Sequence, residues 1–294
     1  MERSILFDNL ILERLGVNDT VIKYTSQIIS EIKNNFGKSE ITMDLVSSND
    51  LKLRNFIIKI KYIENKDYAN IKLSDKLIDN NFLDDVILYL EFSNIDNILE
   101  SNVNHELNHA LEFYKRLKNN VKLNKSWYLQ EKLNEHKKFA INNDIWKDFT
   151  YLIYLTLKHE TNSHVSEIYS DLKNSENIDI DILKSKNYKD CLFYLNYFKI
   201  DVFYKRFIKK YTDEDFIKLT ENFCENFNFK KPNNLEQSIT VIDDVIKKLN
   251  KKIRNYKNKM EKVVFRIKTE RSKDAQIIET TMFKHVIDYD SYID

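Results

Sequence analysis

His105, Glu106 and His109 are the residues whose types and spacing point most directly to chemistry. They stand in Asn102-Val103-Asn104-His105-Glu106-Leu107-Asn108-His109-Ala110-Leu111-Glu112-Phe113. Neither Gly nor Pro interrupts the surrounding stretch from about Asp96 to Lys118. Apolar residues recur there at helical intervals (Ile98, Leu99, Val103, Leu107, Ala110, Leu111), which predicts one helix. On a helix His105 and His109 project from one face, one turn apart. Two imidazoles so placed can grip one zinc ion, and Glu106 can reach a water bound to that ion. A catalytic zinc needs three protein ligands and one open position. No further His follows closely, since the chain continues Ala110-Leu111-Glu112-Phe113-Tyr114-Lys115. The third ligand must come from another element.

A carboxylate from a later helix is the remaining route, and His159-Glu160-Thr161-Asn162-Ser163-His164-Val165-Ser166-Glu167-Ile168-Tyr169-Ser170-Asp171 offers candidates. Glu160, His164, Glu167 and Asp171 step by four, three and four, so they share a helical face. Beside the apolar run from Tyr151 to Leu157, such a polar face needs a partner, and a metal with its surrounding hydrogen bonds would satisfy it. Two alignments stay open. Glu167-x-x-x-Asp171 matches the Glu-x-x-x-Asp element of gluzincins, in which the Glu binds zinc and the Asp supports a ligating His. Glu160, in Glu-Thr-Asn-Ser-His-Val-Ser, resembles the segment after His-Glu-x-x-His in uncharacterised phage-type zincin-like proteins, where the Glu at the helix start is the expected ligand. Glu160 is the preferred reading and Glu167 the alternative.

From roughly Val86 to Asp171 the chain thus resembles HExxH zinc metallopeptidases of the gluzincin-like zincin type. The resemblance implies Zn2+ held by neutral His105 and His109 with Glu160, and a protein or peptide substrate. It implies Glu106 as general base toward the metal-bound water. His164, Tyr169 and Tyr154 are the candidates to polarise the scissile carbonyl, while Asn108 reads as a helix-surface residue. The alternative is a zincin-fold structural or assembly protein, for example phage- or virion-associated, whose metal only braces helices.

The elements that must position these residues read as an α+β fold, mostly α. Residues 19–35 form an amphipathic helix ended by Gly37, and strands follow at Ile41–Leu45, Asn55–Ile63, Tyr68–Leu73 and Val86–Phe92. These make a small mixed sheet packed on the motif helix; in zincins an edge strand there pairs with extended substrate. The stretch after the motif helix to about Lys138 is polar and Lys-rich, with His136 a solvated surface residue and Trp127 and Tyr128 packing residues. Helices are then expected over Ile145–Leu157, Lys158–Lys173, Tyr188–Ile208 and Asp213–Asn226, the last started by Thr212. After the punctuation Lys231-Pro232-Asn233-Asn234 comes a long helix over 235–268. Its apolar positions Ile242, Ile246, Leu249, Ile253, Tyr256, Met260, Val263 and Ile267 alternate steps of four and three. That heptad-like, coiled-coil pattern suits a hairpin or a self-association surface. Its Lys-rich remainder reads as a solvated face, with nucleic acid the less favoured partner. The expected parts are 1–120 with the motif, 121–230 with the third ligand, and 231–294 with the long helix and tail.

Composition sets outer bounds. In 294 residues, 42% are hydrophobic and 32% charged with a net charge of +1, which suits a folded chain and gives no whole-chain argument for nucleic acid. Two Gly and one Pro exclude Gly-rich phosphate loops and dinucleotide fingerprints. The two cysteines, Cys191 and Cys224, lack paired spacing and read as small buried apolar residues. No stretch is long and apolar enough for a membrane span, and the N-terminus lacks the pattern of a signal peptide, so a cytoplasmic or particle-enclosed location is expected. The weight of Lys, Asn and Ile suggests an AT-rich coding source, such as a low-GC bacterium, its phage or a large virus.

Overall fold

The computed structural model describes residues 17–47, 50–64, 68–73, 77–78, 82–93, 100–119 and 125–271. Among them the fold is α+β and mostly α, as the sequence leads one to expect: a mixed six-stranded sheet near the N-terminus, ten helices, and a long helix at the C-terminal end.

Helix α1 (Asp19–Asn34) begins where the Asn18 side chain accepts the Thr20 and Val21 N–H groups, satisfying donors that a helix start leaves open. After it the chain reverses at Gly37, whose φ of 91° is open to glycine and costly for other residues. The strands are β1 (Glu40–Leu45), β2 (Leu53–Tyr62), β3 (Tyr68–Lys72), β4 (Leu77–Ile78), β5 (Phe82–Asp84) and β6 (Ile87–Phe92). β1 runs antiparallel along one side of β2, while β5 and β6 follow one another, parallel to β2, along its other side. β3 pairs antiparallel with the far side of β6 and is an edge strand. Alternation sends Phe56, Ile58 and Ile60 of β2 and Leu88, Leu90 and Phe92 of β6 into one buried face. There they meet Tyr24, Ile28 and Ile32 of α1 and Val103, Leu107, Ala110 and Tyr114 of α2 (Glu100–Lys118), forming a first apolar core. The expected start of α2 at 96–99 lies outside the described residues.

A second core joins α3 (Lys125–Phe139), α4 (Asp144–Leu155), α5 (Lys158–Leu172), α6 (Ile178–Lys184), α7 (Lys186–Tyr197), α8 (Ile200–Phe207), α9 (Asp213–Phe227) and α10 (Leu235–Arg271). Trp146 and Phe149 of α4 pack with Phe203 and Phe207 of α8 and with Phe216 and Phe223 of α9, mostly edge-to-face. α9 starts with a capping box between Thr212 and Asp215, and Cys191 and Cys224 are buried as expected.

Two expectations are corrected here, on His136 and on residues 188–208, and the seam of α10 finds its partners within the chain. The polar stretch before Lys138 contains α3, and His136 on it is fully buried rather than solvated. Its Nε2 accepts the Trp146 indole N–H at 2.6 Å, so its Nδ1–H donates to Asn222 Oδ1 at 2.7 Å. Residues 188–208 are two helices, α7 and α8, parted at Phe198 and Lys199. The break lets Phe198 bury its ring, and Asn250 Nδ2 donates to the carbonyl that the break frees. The seam of α10, from Ile242 to Ile267, is filled by helices of the same chain, with every predicted apolar position buried. Its lysines meet internal carboxylates at Lys247–Asp243, Lys257–Glu261 and Lys268–Asp179. No described helix is long and apolar enough to cross a membrane.

Candidate metal centre

α2 has two unlike faces. One is apolar and belongs to the first core; the other carries Ser101, Asn104, His105, Asn108, His109 and Glu112 and lies along α5 of the second core. The two helices run antiparallel, as their bonded pairs show. Ser101 bonds Asp171, Ser166 Oγ donates to Asn104 Oδ1, Ser163 Oγ lies 3.2 Å from His109 Nδ1, and Asn162 Nδ2 donates to Glu112 Oε1. Ser163, Ser166 and Ser170 are small and buried, so the α5 backbone approaches α2 closely. Arg271 donates to the carbonyls of Leu172, Lys173 and Ser175, tying the C-terminal end of α5 to α10.

Midway along this polar seam three groups converge. His105 Nε2 and His109 Nε2 are 3.1 Å apart, and Glu160 Oε2 is 3.6 Å from each. Glu160 sits in the first turn of α5, where the helix dipole favours a carboxylate. The Tyr154 hydroxyl at the end of α4 donates to Glu160 Oε2 at 2.6 Å. All three residues are nearly closed off, with His105 9%, His109 8% and Glu160 6% exposed. His164, one turn beyond Glu160, lies with its ring centre 4.6 Å from that of His105. Its Nδ1 is 2.9 Å from Glu167 Oε2, and its Nε2 is buried without a hydrogen-bond partner. His105, Glu160 and His164 each offer a ligand atom within 4.8 Å of the others, so this group could hold a metal ion.

The electrostatics favour positive charge between the helices. Burial would lower the pKa of His105, but its contacts with Glu160 and Glu167 raise it to about 10. Burial lowers His109 to about 4 in spite of Glu160. Burial acts on Glu160 and Glu167 in the upward direction. It is outweighed by the surrounding imidazoles, which hold Glu160 far below the usual carboxylate range and Glu167 at about 2. At Glu106 burial is not outweighed: it raises the carboxyl to about 7 against the pull of His105. Its Oε2 accepts the backbone N–H of Ile71 on edge strand β3 at 3.0 Å, so the sheet edge reaches the centre.

The sequence candidates divide accordingly. His105, Glu106, His109, Glu160, Tyr154 and His164 come together. Glu167 is also present but on the other side of the His105 ring, 3.3 Å from Nδ1 rather than near Nε2. Asp171 bonds Ser101 and not a histidine, unlike its part in the gluzincin alignment. Tyr169 lies elsewhere: it packs against the second core, and the charges around it are Glu270, Asp19 and Arg266. Nine residues separate it from Glu160, which on a helix is half a rotation and more than two turns. Asn108 is buried rather than on the surface, its Nδ2 donating to the Asn104 carbonyl and side chain.

Sequence reasoning missed His159, Ser126, Ser163 and Ile71. Ser163 had a signal, since it stands three positions before Ser166 and seven before Ser170, a helical spacing that lines small residues along one face of α5. For the others the signal exists only after α3 and β3 are packed. Comparison with family models, with curated proteins and with solved structures finds no match to this chain.

Proposed function

We propose that this chain is a zinc-dependent peptidase in which His105, His109 and Glu160 hold the ion and Glu106 is the general base. The observation that carries this reading is the triangle of His105 Nε2, His109 Nε2 and Glu160 Oε2, with edges of 3.1, 3.6 and 3.6 Å. A point about 2 Å from all three atoms lies close to its plane, which is the distance zinc keeps from imidazole nitrogen and carboxylate oxygen. Two imidazoles and one carboxylate are also the donor set of catalytic zinc sites that keep a fourth position for water.

The remaining residues have work in this scheme. Glu167 beside His105 Nδ1 favours a proton on that nitrogen, and the Ser163 hydroxyl beside His109 Nδ1 can accept one, an arrangement that turns both Nε2 lone pairs inward. The chemistry that a zinc ion held by these residues would supply is a more acidic water and polarisation of the scissile carbonyl. Glu106, buried beside His105, would serve as the base toward a water in that site and as the acid toward the leaving amine. The Ile71 N–H holds Glu106 Oε2 and leaves Oε1 for the proton. Among the described residues no strand pairs with β3 on the side away from β6, and an extended peptide added there would lie beside Glu106. His164, held at Nδ1 by Glu167 and with Nε2 unpartnered, is the candidate donor to the carbonyl oxygen.

Metal analysis of the purified protein and a peptide-library digest with and without chelator test this. Glu106→Gln is expected to keep its zinc and lose cleavage by about 100- to 10,000-fold. Wild-type cleavage by Glu106→Gln, or cleavage untouched by chelator, overturns the mechanism. A second reading has its own observation: the near closure of the three ligands and their place between two cores suit a metal that only braces a structural or assembly protein. It expects chelation to lower the melting temperature of a protein that cleaves no peptide and is indifferent to Glu106→Gln.

A further inference from the structure

We infer that His159 is a positioning residue that restrains Glu160 to ligation through one oxygen, and this inference rests on the zinc-site reading above. His159 precedes Glu160 at the start of α5 and is fully buried. Its Nε2 is buried without a hydrogen-bond partner and lies 3.3 Å from Glu160 Oε1, near enough for a small turn of the ring to make a hydrogen bond there. Its Nδ1 lies 2.8 Å from Ser126 Oγ. The ring stacks face to face on Trp127, with centres 4.1 Å apart and planes 8° from parallel. Ser126 and Trp127 both belong to the first turn of α3, so a separate helix fixes where the imidazole points.

The proton arrangement follows from the partners. An ionised carboxylate only accepts, so the contact with Glu160 Oε1 requires hydrogen on Nε2. Nδ1 then accepts from the Ser126 hydroxyl, which donates. This tautomer is opposite to the one that metal ligation through Nε2 requires of His105 and His109, which Glu167 favours beside His105 Nδ1 and the Ser163 hydroxyl can accept from at His109 Nδ1. His159 therefore turns an N–H toward the centre where His105 and His109 turn lone pairs, and it is not a fourth ligand. Glu160 is divided between its two oxygens: Oε2 faces both ligating nitrogens and receives the Tyr154 hydroxyl, while Oε1 faces His159. A carboxylate held in this way cannot swing its second oxygen onto the metal. The position it would have filled stays free for water.

The test uses full-length wild type, His159→Phe, His159→Gln and Ser126→Ala. Zinc affinity is read by competition with a chromophoric chelator, and coordination by the absorption spectrum of the cobalt-substituted proteins. His159→Phe keeps an aromatic ring on Trp127 but removes the N–H, and is expected to weaken zinc about 10- to 100-fold and shift the cobalt spectrum toward higher coordination. His159→Gln returns an amide N–H and is expected to recover most of the affinity and the wild-type spectrum. Ser126→Ala, which releases the tautomer, is expected to fall between them. Circular dichroism of the metal-free forms identifies any variant that fails to fold, and Ser126→Ala with His159→Gln then carry the comparison. Wild type that binds zinc stoichiometrically while the variants match its affinity and spectrum overturns this inference alone. Wild type that binds neither zinc nor cobalt overturns the metal-site reading with it.

Discussion

At the scale of single residues, Glu106 sets chemistry against stability. Its pKa rises from 4.5 to about 7 on folding, chiefly because burial disfavours the carboxylate. Between those values the folded chain binds more protons than the unfolded one, so this group makes stability fall as pH rises, and the full penalty is present above about pH 7. Glu106→Gln removes the charge and keeps an acceptor for the Ile71 N–H. In chelator-treated protein at pH 8 the variant is expected to be more stable by about 1–2 kcal/mol, less than the ~3 kcal/mol of the whole shift because Glu106 is partly exposed. The advantage should fade as pH falls below 4.5, where the carboxyl is protonated in both states of the wild type. Denaturant melts at the two pH values check this; a variant less stable than wild type at pH 8 contradicts it.

At the scale of elements, α3 depends on His136 for its place against α4 and α9. The imidazole accepts from Trp146 and donates to Asn222, so His136→Ala leaves a buried indole N–H unpaired and opens a cavity. The expected cost is about 2–4 kcal/mol at pH 7.5. Burial lowers the pKa of His136 below its ordinary 6.5 despite the bond to Asn222. Below pH 6.5 the unfolded chain takes up the proton first, so the contribution of the wild-type residue is lost as pH falls. The gap between wild type and His136→Ala should therefore narrow at pH 5, measured by urea unfolding; a gap that widens on acidification refutes the assignment. The pairing of α2 with α5 follows a different rule. It is a polar seam between two apolar cores, held by matched hydrogen bonds and by the small size of Ser163, Ser166 and Ser170.

At the scale of the whole molecule, the centre joins the sheet-bearing core, through α2, to the helical core, through α5. A cation bound there links two bodies of packing and stabilises the folded state by mass action, about 3–4 kcal/mol at 100 to 1,000 times its dissociation constant. Chelation is expected to lower the melting temperature and to raise amide exchange first along the facing sides of α2 and α5, while β2, β6 and α10 stay protected. Uniform loss of protection across both cores would show that the metal does not act at their junction.

The sequence by itself determined what depends on near neighbours. Apolar spacing marked α2 and the seam of α10; the polar step from Glu160 to Asp171 marked α5; Gly37 and Thr212 marked ends; and the four-residue step from His105 to His109 placed both rings on one face. Helical and strand periodicity and capping are local, so they can be read without knowing what lies opposite. Only the tertiary structure decided matters of facing. Glu160 and Glu167 share a helical face, yet one meets Nε2 and the other Nδ1 of the same ring. Tyr169 was a reasonable donor by type and was excluded by its direction, and His136 looked solvated among lysines until α4 and α9 closed over it. His159 drew no attention, because its meaning comes from Ser126 and Trp127, 33 and 32 positions away. A side chain's chemistry is set by the groups packed against it, and those arrive from distant parts of the chain only on folding.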